Sequence, residues 1–170
     1  MAGPTASVLF SGTLPSGIGL RELMDDVADS RPDDSLFHIG DTTKFGGEYA
    51  GEFRPFVGRV YDVRSAEHCS VCPAEIDAIN TALATKMTHC VELGAMCNSQ
   101  ADHRLLCEIA GYLSKTHDGF VDFHDVITDV SRDDLYNASW TEDGDEYVTQ
   151  LGRPTACQWW LQQSNFRMVK

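Results

Sequence analysis

The sequence predicts a single globular α/β domain over residues 1–170, with one mixed sheet in two or three layers and three to four helices. Three observations support this prediction. The chain has 170 residues, the length of one ordinary domain. Hydrophobic residues make up 42 % of it, enough to fill a core. Short β-rich stretches roughly alternate with helix-patterned ones. Because several neighbouring strands could also pair antiparallel, an α+β fold is the alternative.

The first part of the chain is predicted to hold three strands and a helix. Residues 6–12, 35–41 and 56–63 are short stretches rich in β-formers or alternating in polarity, so we predict strands there. Apolar residues recur at helical spacing over 20–29, which predicts a helix. The Gly-rich, aromatic stretch 42–53 is predicted as a loop.

The middle of the chain carries the clearest helix signal. Pro73 suits the first turn of a helix, where its missing N–H costs nothing. Ile76, Ile79, Leu83 and Met87 then form one apolar stripe. We therefore predict a helix over 73–86, followed by a strand over 88–97.

The last part repeats this alternation. A helix is predicted in the stretch 98–119, where Gly119 provides the stop. Strands are predicted at 120–127 and 145–151, and a second helix opens at Pro154. The terminal stretch 166–170 is predicted as a short edge strand.

Charge and targeting signals limit the partners and the compartment. Twenty-six acidic residues against 13 basic ones give a formal charge of −13 and a pI near 4.6. Such a surface repels nucleic acid and anionic membranes and attracts a basic protein. The sequence has neither a long apolar run nor a signal-peptide pattern, and its six Cys are interpreted as thiols. We expect a cytoplasmic protein.

The stretch "EHCSVCPAEIDAIN" (67–80) raises the question of a metal or redox site. Cys69 and Cys72, with His68 and a distant His89, could supply zinc ligands, but no second C-x-x-C pair follows. A redox role is disfavoured because the neighbouring acidic residues would raise a thiol pKa. The favoured interpretation is that Cys72 caps or precedes the helix beginning at Pro73 and that the Cys are ordinary small residues of the core. No cofactor is expected.

A second candidate is "THDGFVDFHD" (116–125), which combines His and carboxylate side chains. These groups can bind a transition metal or transfer protons. On a strand, however, Asp122 and His124 share one face and Val121 and Phe123 the other. The favoured interpretation is a half-exposed strand. The sequence contains no P-loop, G-x-S-x-G or H-E-x-x-H motif, and we predict no catalytic residue.

Acidic residues interleaved with aromatics predict a surface for a basic partner. Its members are Asp133, Asp134, Tyr136, Trp140, Glu142, Asp143, Asp145 and Glu146. A second contact is predicted in the Gly-rich loop at Phe45, Glu48 and Tyr49. The alternative is a solvated acidic loop that only maintains solubility.

Two stretches carry a family resemblance. "DHRLLCEIAGYLSKTHDGFVDF" (102–123) is similar to a D-H-R-x-L-x-E-x-A-x-x-L pattern followed by a Gly turn and a V-D-F strand. "WWLQQSNFRMVK" (159–170) resembles a W-L-x-x-x-x-F-R-x-V-K terminus. Over roughly the C-terminal half, the chain thus resembles a family of small bacterial proteins of unknown function that look like immunity partners of polymorphic or secreted toxins.

The resemblance implies a cytosolic immunity protein that binds a cognate toxin and occludes its active site. It implies no catalytic residues. Two alternatives remain open from the sequence. One is a metal-binding or thiol-dependent enzyme that uses the Cys69 and Cys72 region. The other is an immunity protein that enzymatically reverses a modification made by the toxin.

Overall fold

The computed structural model describes residues 3–12, 19–26, 28, 33–39, 45, 54–64 and 72–168, and these contain seven strands and four helices. In chain order the elements are β1 (Thr5–Phe10), α1 (Leu20–Leu23), β2 (Leu36–Ile39), β3 (Arg54–Asp62), α2 (Pro73–Leu83), β4 (His89–Ala95), α3 (Gln100–Thr116), β5 (Phe120–Asp122), β6 (Leu135–Glu142), β7 (Asp145–Gly152) and α4 (Pro154–Trp160).

All seven strands join one sheet in the order β2-β3-β4-β1-β5-β7-β6. Each neighbouring pair is antiparallel. The prediction of a single sheet combined with three to four helices is confirmed. The antiparallel pairing is the arrangement that the α+β alternative assumed. Strands β2 and β6 lie at the two edges.

Helices cover both faces of the sheet. Successive side chains of a strand point to opposite sides, and apolar residues on both sides of β1 need a packing partner. On one face, Val8 and Phe10 of β1 pack in a core cluster with Leu105 and Ile109 of α3. On the other face, Leu9 packs in a second cluster with residues of α2, β6 and β7. Strand β1 is therefore buried from both sides and forms the centre of the fold.

Helix α2 answers the question raised by the Cys-x-x-Cys stretch. The Cys72 Sγ accepts a hydrogen bond from the Glu75 backbone N–H at 3.3 Å, and Pro73 occupies the first helical position. Ala84 ends the helix in the left-handed conformation at φ 50°. The prediction that Cys72 caps this helix is confirmed.

Helix α3 is anchored at its start by a buried carboxylate. Asp102 is 1 % exposed, and its side chain accepts hydrogen bonds from the Ser99 backbone and hydroxyl at 2.6 Å each. The Arg54 guanidinium lies 2.8 Å from the same carboxylate. Burial acts to raise the pKa of Asp102, but the hydrogen bonds from Ser99 and Arg54 hold it below its usual value.

Four sequence predictions are corrected. The strand predicted over 120–127 is only three residues long, because His124 turns out of the strand at φ 56°. Strand β6 was not predicted. Helix α1 is shorter than 20–29, although positions 27 and 29 lie outside the described residues.

The fourth correction concerns the C-terminus, where residues 166–168 form no strand. Instead, the Met168 N–H donates to His103 Nδ1 at 2.9 Å and the Trp160 indole N–H to the Arg167 carbonyl at 3.2 Å. These bonds hold the tail against the helices, away from any sheet edge.

Replacing the anchor of α3 should destabilise the protein strongly. We expect Asp102→Ala to lower the free energy of unfolding by about 3 kcal/mol, because it removes one half of the capping box that Ser99 and Asp102 form and leaves Arg54 half-buried without this carboxylate. Urea unfolding at pH 7 measures the loss. The exposed Asp77→Ala in α2 is the control and should change stability by less than about 0.5 kcal/mol.

The acid response of the same variant provides a second check. Because the folded pKa of Asp102 is lowered, its stabilisation is present above the unfolded pKa and is lost as the pH falls through the folded pKa. Asp102→Ala should therefore differ less from wild type at pH 2 than at pH 7. An equal difference at both pH values would contradict this account.

Candidate functional site

The candidate site is the hairpin formed by β6 and β7. Its two strands pair from Leu135↔Gly152 to Glu142↔Asp145 without interruption. Asp143 and Gly144 form the connecting two-residue turn at φ 51° and 92°, the left-handed conformations that a type I′ turn requires. The Trp140 and Tyr147 rings stack across the strands with centroids 5.6 Å apart. The hairpin is thus well ordered up to its tip.

The tip of the hairpin is strongly acidic. Glu142, Asp143, Asp145 and Glu146 are all exposed. Within the part of the chain that the structure describes, none of their side chains forms an ion pair or a hydrogen bond. Four uncompensated carboxylates on one turn produce a local negative potential that attracts cationic groups.

The other predicted members of this surface have different environments. Asp133 is exposed. Asp134 accepts two hydrogen bonds from Arg132 at 2.9 Å each and one from Thr155 Oγ1 at 2.6 Å, and the Arg132 bonds are the main reason that its pKa is lowered. Tyr136 packs edge-on against Phe120, with ring centroids 5.7 Å apart. Asp134 and Tyr136 therefore attach the base of the hairpin to the body of the domain.

A groove with a mixed polar and apolar lining lies beside the acidic tip and was not predicted. The 126–132 segment passes over one face of the hairpin and leaves a groove of about 410 Å³. Val126, Val130 and Val148 supply its exposed apolar groups, with exposed fractions of 40, 65 and 42 %, and polar side chains make up most of the remaining lining. The Gln150 side chain holds the segment in place, since its Oε1 accepts from the Ile127 N–H at 2.8 Å and its amide donates to the Thr128 carbonyl at 2.7 Å.

The second predicted contact is described only at one residue. Phe45 is 7 % exposed and packs edge-on against Tyr112 of α3, with ring centroids 6.4 Å apart. It contributes to the core in this structure. Glu48 and Tyr49 lie outside the described residues.

The alternative metal site is described only in part. His68 and Cys69 lie outside the described residues. Cys72 caps α2, and the His89 Nδ1 lies 3.0 Å from the Thr88 hydroxyl. Among residues 3–168, as far as they are described, no group of three or more His, Cys, Asp or Glu side chains is arranged to hold a metal ion.

Ser7 of β1 meets His124 and Asp122 of the second candidate stretch in a Ser–His–Asp constellation. It was not predicted from the sequence, because Ser7 lies 117 positions from His124. His124 Nε2 lies 3.0 Å from Ser7 Oγ, and its Nδ1 lies 3.8 Å from Asp122 Oδ2. These atoms resemble a nucleophile and its base. However, Ser7 is 3 % exposed and sits in a strand paired on both sides, so a substrate has no approach to its hydroxyl. We interpret the constellation as structural.

One carboxylate of α2, Glu75, lies in an environment that disfavours its charged form. Burial of Glu75 is the main cause that raises its pKa to about 7, and the charges of Asp122 and Glu142 raise it further. Glu75 is therefore partly protonated near neutral pH, unlike an ordinary surface carboxylate.

This environment predicts a pH-dependent stability. Because the folded pKa of Glu75 is raised, its stabilisation is complete below the unfolded pKa near 4.3 and is lost as the pH rises through about 7. We expect Glu75→Gln to match wild type at pH 4 and to be more stable at pH 8. The difference should be about 1 kcal/mol after allowing for solvent screening.

Thermal unfolding at the two pH values measures this effect. Asp77→Asn, an exposed change on the same helix, is the matched control and should show no such divergence. A Glu75→Gln variant that is less stable than wild type at pH 8 would contradict the prediction.

Comparison with known proteins identifies the family of the chain. The model of a family described as "Family of unknown function (DUF6368)" matches residues 2–170. The chain therefore belongs to this family, and the match extends well beyond its C-terminal half. No curated protein and no solved structure matches the chain. No helix of the described residues is long and apolar enough to cross a membrane.

Proposed function

We propose that this member of the DUF6368 family is a cytosolic immunity protein that binds a cognate bacterial toxin and occludes its active site. The observation that carries the proposal is the acidic hairpin tip, with four exposed carboxylates and no compensating cation among the described residues. Such a concentration of charge is unfavourable for the isolated protein and becomes favourable against a basic surface.

The position of the hairpin supports this role. Strand β7 pairs with β6 along its whole length but with β5 only at Leu151 and Gly152. The outer half of the hairpin thus extends past the neighbouring strand, and α2 supports it from one face. An acidic element at the edge of the sheet can meet a cleft, and a cleft that binds an anionic substrate is lined by basic groups.

The local side chains also suit a protein contact. Tyr147 and Val148 near the tip are 43 and 42 % exposed, and Trp140 stacks on Tyr147. Aromatic and apolar groups surrounded by charged ones are the usual composition of a binding hot spot. The enzymatic alternative has less support, because the Cys72 Sγ already accepts a helix N–H.

Co-expression with the protein encoded by the adjacent gene tests the proposal. We expect that neighbour to be toxic alone, harmless with this chain, and recovered with it as a stoichiometric complex at low and moderate salt. A neighbour that is not toxic, or that remains toxic beside a stably folded chain, would overturn the immunity function.

Charge reversal tests the role of the hairpin tip. We expect Asp145→Lys with Glu146→Lys to slow association with the toxin about tenfold at low salt and to weaken its salt dependence, since two steering charges are inverted. Stopped-flow or surface-based kinetics at several salt concentrations measure both effects. Asp143 is left intact because its φ of 51° makes a substitution there strained.

A matched double reversal separates local from global charge. Asp26→Lys with Asp34→Lys makes the same change in net charge at exposed positions elsewhere. This control should retain most of the wild-type association rate. If both pairs slow association equally, the hairpin tip has no special role and only net charge matters.

A further inference from the structure

Strand β6 lies at the edge of the sheet, and its residues alternately direct their backbone N–H and C=O groups toward β7 and away from it. The two-residue turn determines which residues face which way. In a two-residue hairpin the residues flanking the turn, here Glu142 and Asp145, exchange both backbone hydrogen bonds. Counting from Glu142 toward the start of β6, every second residue therefore also forms its backbone hydrogen bonds with β7. The intervening residues Asn137, Ser139 and Thr141 direct their N–H and C=O groups away from β7.

Bonds at the base of the hairpin support this alternation. The Arg153 N–H donates to the Asp134 carbonyl at 2.9 Å, so Asp134 continues the series of residues that bond toward β7. Leu135 belongs to the series that faces away from β7, and its N–H donates instead to the Arg132 carbonyl at 3.2 Å. For Asn137, Ser139 and Thr141, no backbone hydrogen bond to the outer side occurs with any described residue.

Strand β6 itself lacks the residues that usually protect an edge strand. Edge strands are commonly blunted by Pro, Lys, a bulge or a covering element. Strand β6 has the sequence LYNASWTE, its register with β7 is continuous, and α2 packs against its inner face. The outward residues Asn137, Ser139 and Thr141 have small, uncharged and exposed side chains. Among the described residues, their six outward backbone N–H and C=O groups have no partner, and these groups can pair with an incoming strand.

We propose that an extended segment of the toxin adds to β6 as an eighth strand of the sheet. This inference rests on the proposed function and specifies how the toxin engages the same surface. Main-chain hydrogen bonds to Asn137, Ser139 and Thr141 provide the affinity in this mode of recognition. Side chains of the added segment provide the specificity.

The surroundings of β6 define the chemistry of that segment. The groove beside the tip reaches Asn137 and Ser139 of β6 and combines valine side chains with polar ones, so apolar or uncharged polar side chains on one face of the added strand fit it. The acidic tip lies at one end of β6 and the exposed Asp133 precedes the other. The segment is therefore an extended stretch with uncharged residues on the face toward the groove and Lys or Arg near its ends.

A second copy of this chain is a poorer occupant of the same edge. Antiparallel pairing of two β6 strands would place the acidic tip of each chain beside Asp133 and Asp134 of the other. Like charges directly opposite each other destabilise strand pairing. The net charge of −13 on each chain adds to the repulsion.

Proline substitution isolates the backbone contribution. Ser139→Pro removes an outward N–H while leaving the β6–β7 bonds in place, a position where edge strands tolerate Pro. We expect it to weaken toxin binding at least about tenfold, whereas Ser139→Ala, which keeps the N–H, binds within about twofold of wild type. Both variants should keep the wild-type circular dichroism spectrum.

Amide hydrogen exchange of the unmodified protein tests the same proposal without a variant. The amides of Asn137, Ser139 and Thr141 should exchange rapidly in the free chain and become protected in the complex. Those of Ala138 and Trp140 should be protected in both states, because they bond β7. Unchanged exchange at the three outward amides in a stable complex would overturn strand addition.

The outcomes separate the mode of binding from the function. If the toxin complex forms but Ser139→Pro binds normally and the outward amides stay exposed, strand addition fails and the immunity function stands. If no toxic neighbour binds the wild-type chain, the proposed function itself fails. Protection that appears without the toxin and grows with protein concentration, together with a dimer in sedimentation, would replace the toxin by a second copy.

Discussion

The buried carboxylate of Asp122 determines where the acidic hairpin can lie. It is 1 % exposed, and its Oδ1 accepts from the His124 N–H at 2.8 Å and from Thr149 Oγ1 at 2.5 Å. The first bond stabilises the turn that ends β5, and the second ties that turn to β7. Because β5 stops here, β7 has a strand on that side only at its inner end. The outer half of the hairpin therefore has no neighbouring strand on the β7 side among the described residues.

The helices were predictable because their signals are local. Pro73, the apolar stripe that includes Ile76 and Ile79, and the Cys72 cap all lie within one short stretch, and α2 begins where they indicate. The extent of β5 was not predictable in this way. Its apolar run continues through Phe123, but the strand ends where His124 turns, and the Asp122 carboxylate that stabilises this turn is also held by Thr149, a residue 27 positions away in the sequence.

Strand β6 was not predicted, although its sequence carries the alternation of a strand and the turn residues of a hairpin. Tyr136, Ala138 and Trp140 alternate with polar residues, and Asp143–Gly144 is the dipeptide most typical of a two-residue hairpin. These signals were present, but the surrounding acids favoured a loop. The acidic members of the site were therefore identified from composition alone. The groove beside the tip was not, since it depends on Gln150, which holds the 126–132 segment against the hairpin.

The acidic residues and the open edge are best understood together. An unprotected edge strand invites pairing between copies, and natural proteins usually prevent this with features in the strand itself. Here the protection is supplied by charge at both ends of β6, at Asp133 on one side and the hairpin tip on the other. Charge of one sign repels a second copy but attracts a basic partner. The same carboxylates can thus keep β6 unpaired in the free protein and direct a cationic segment to it.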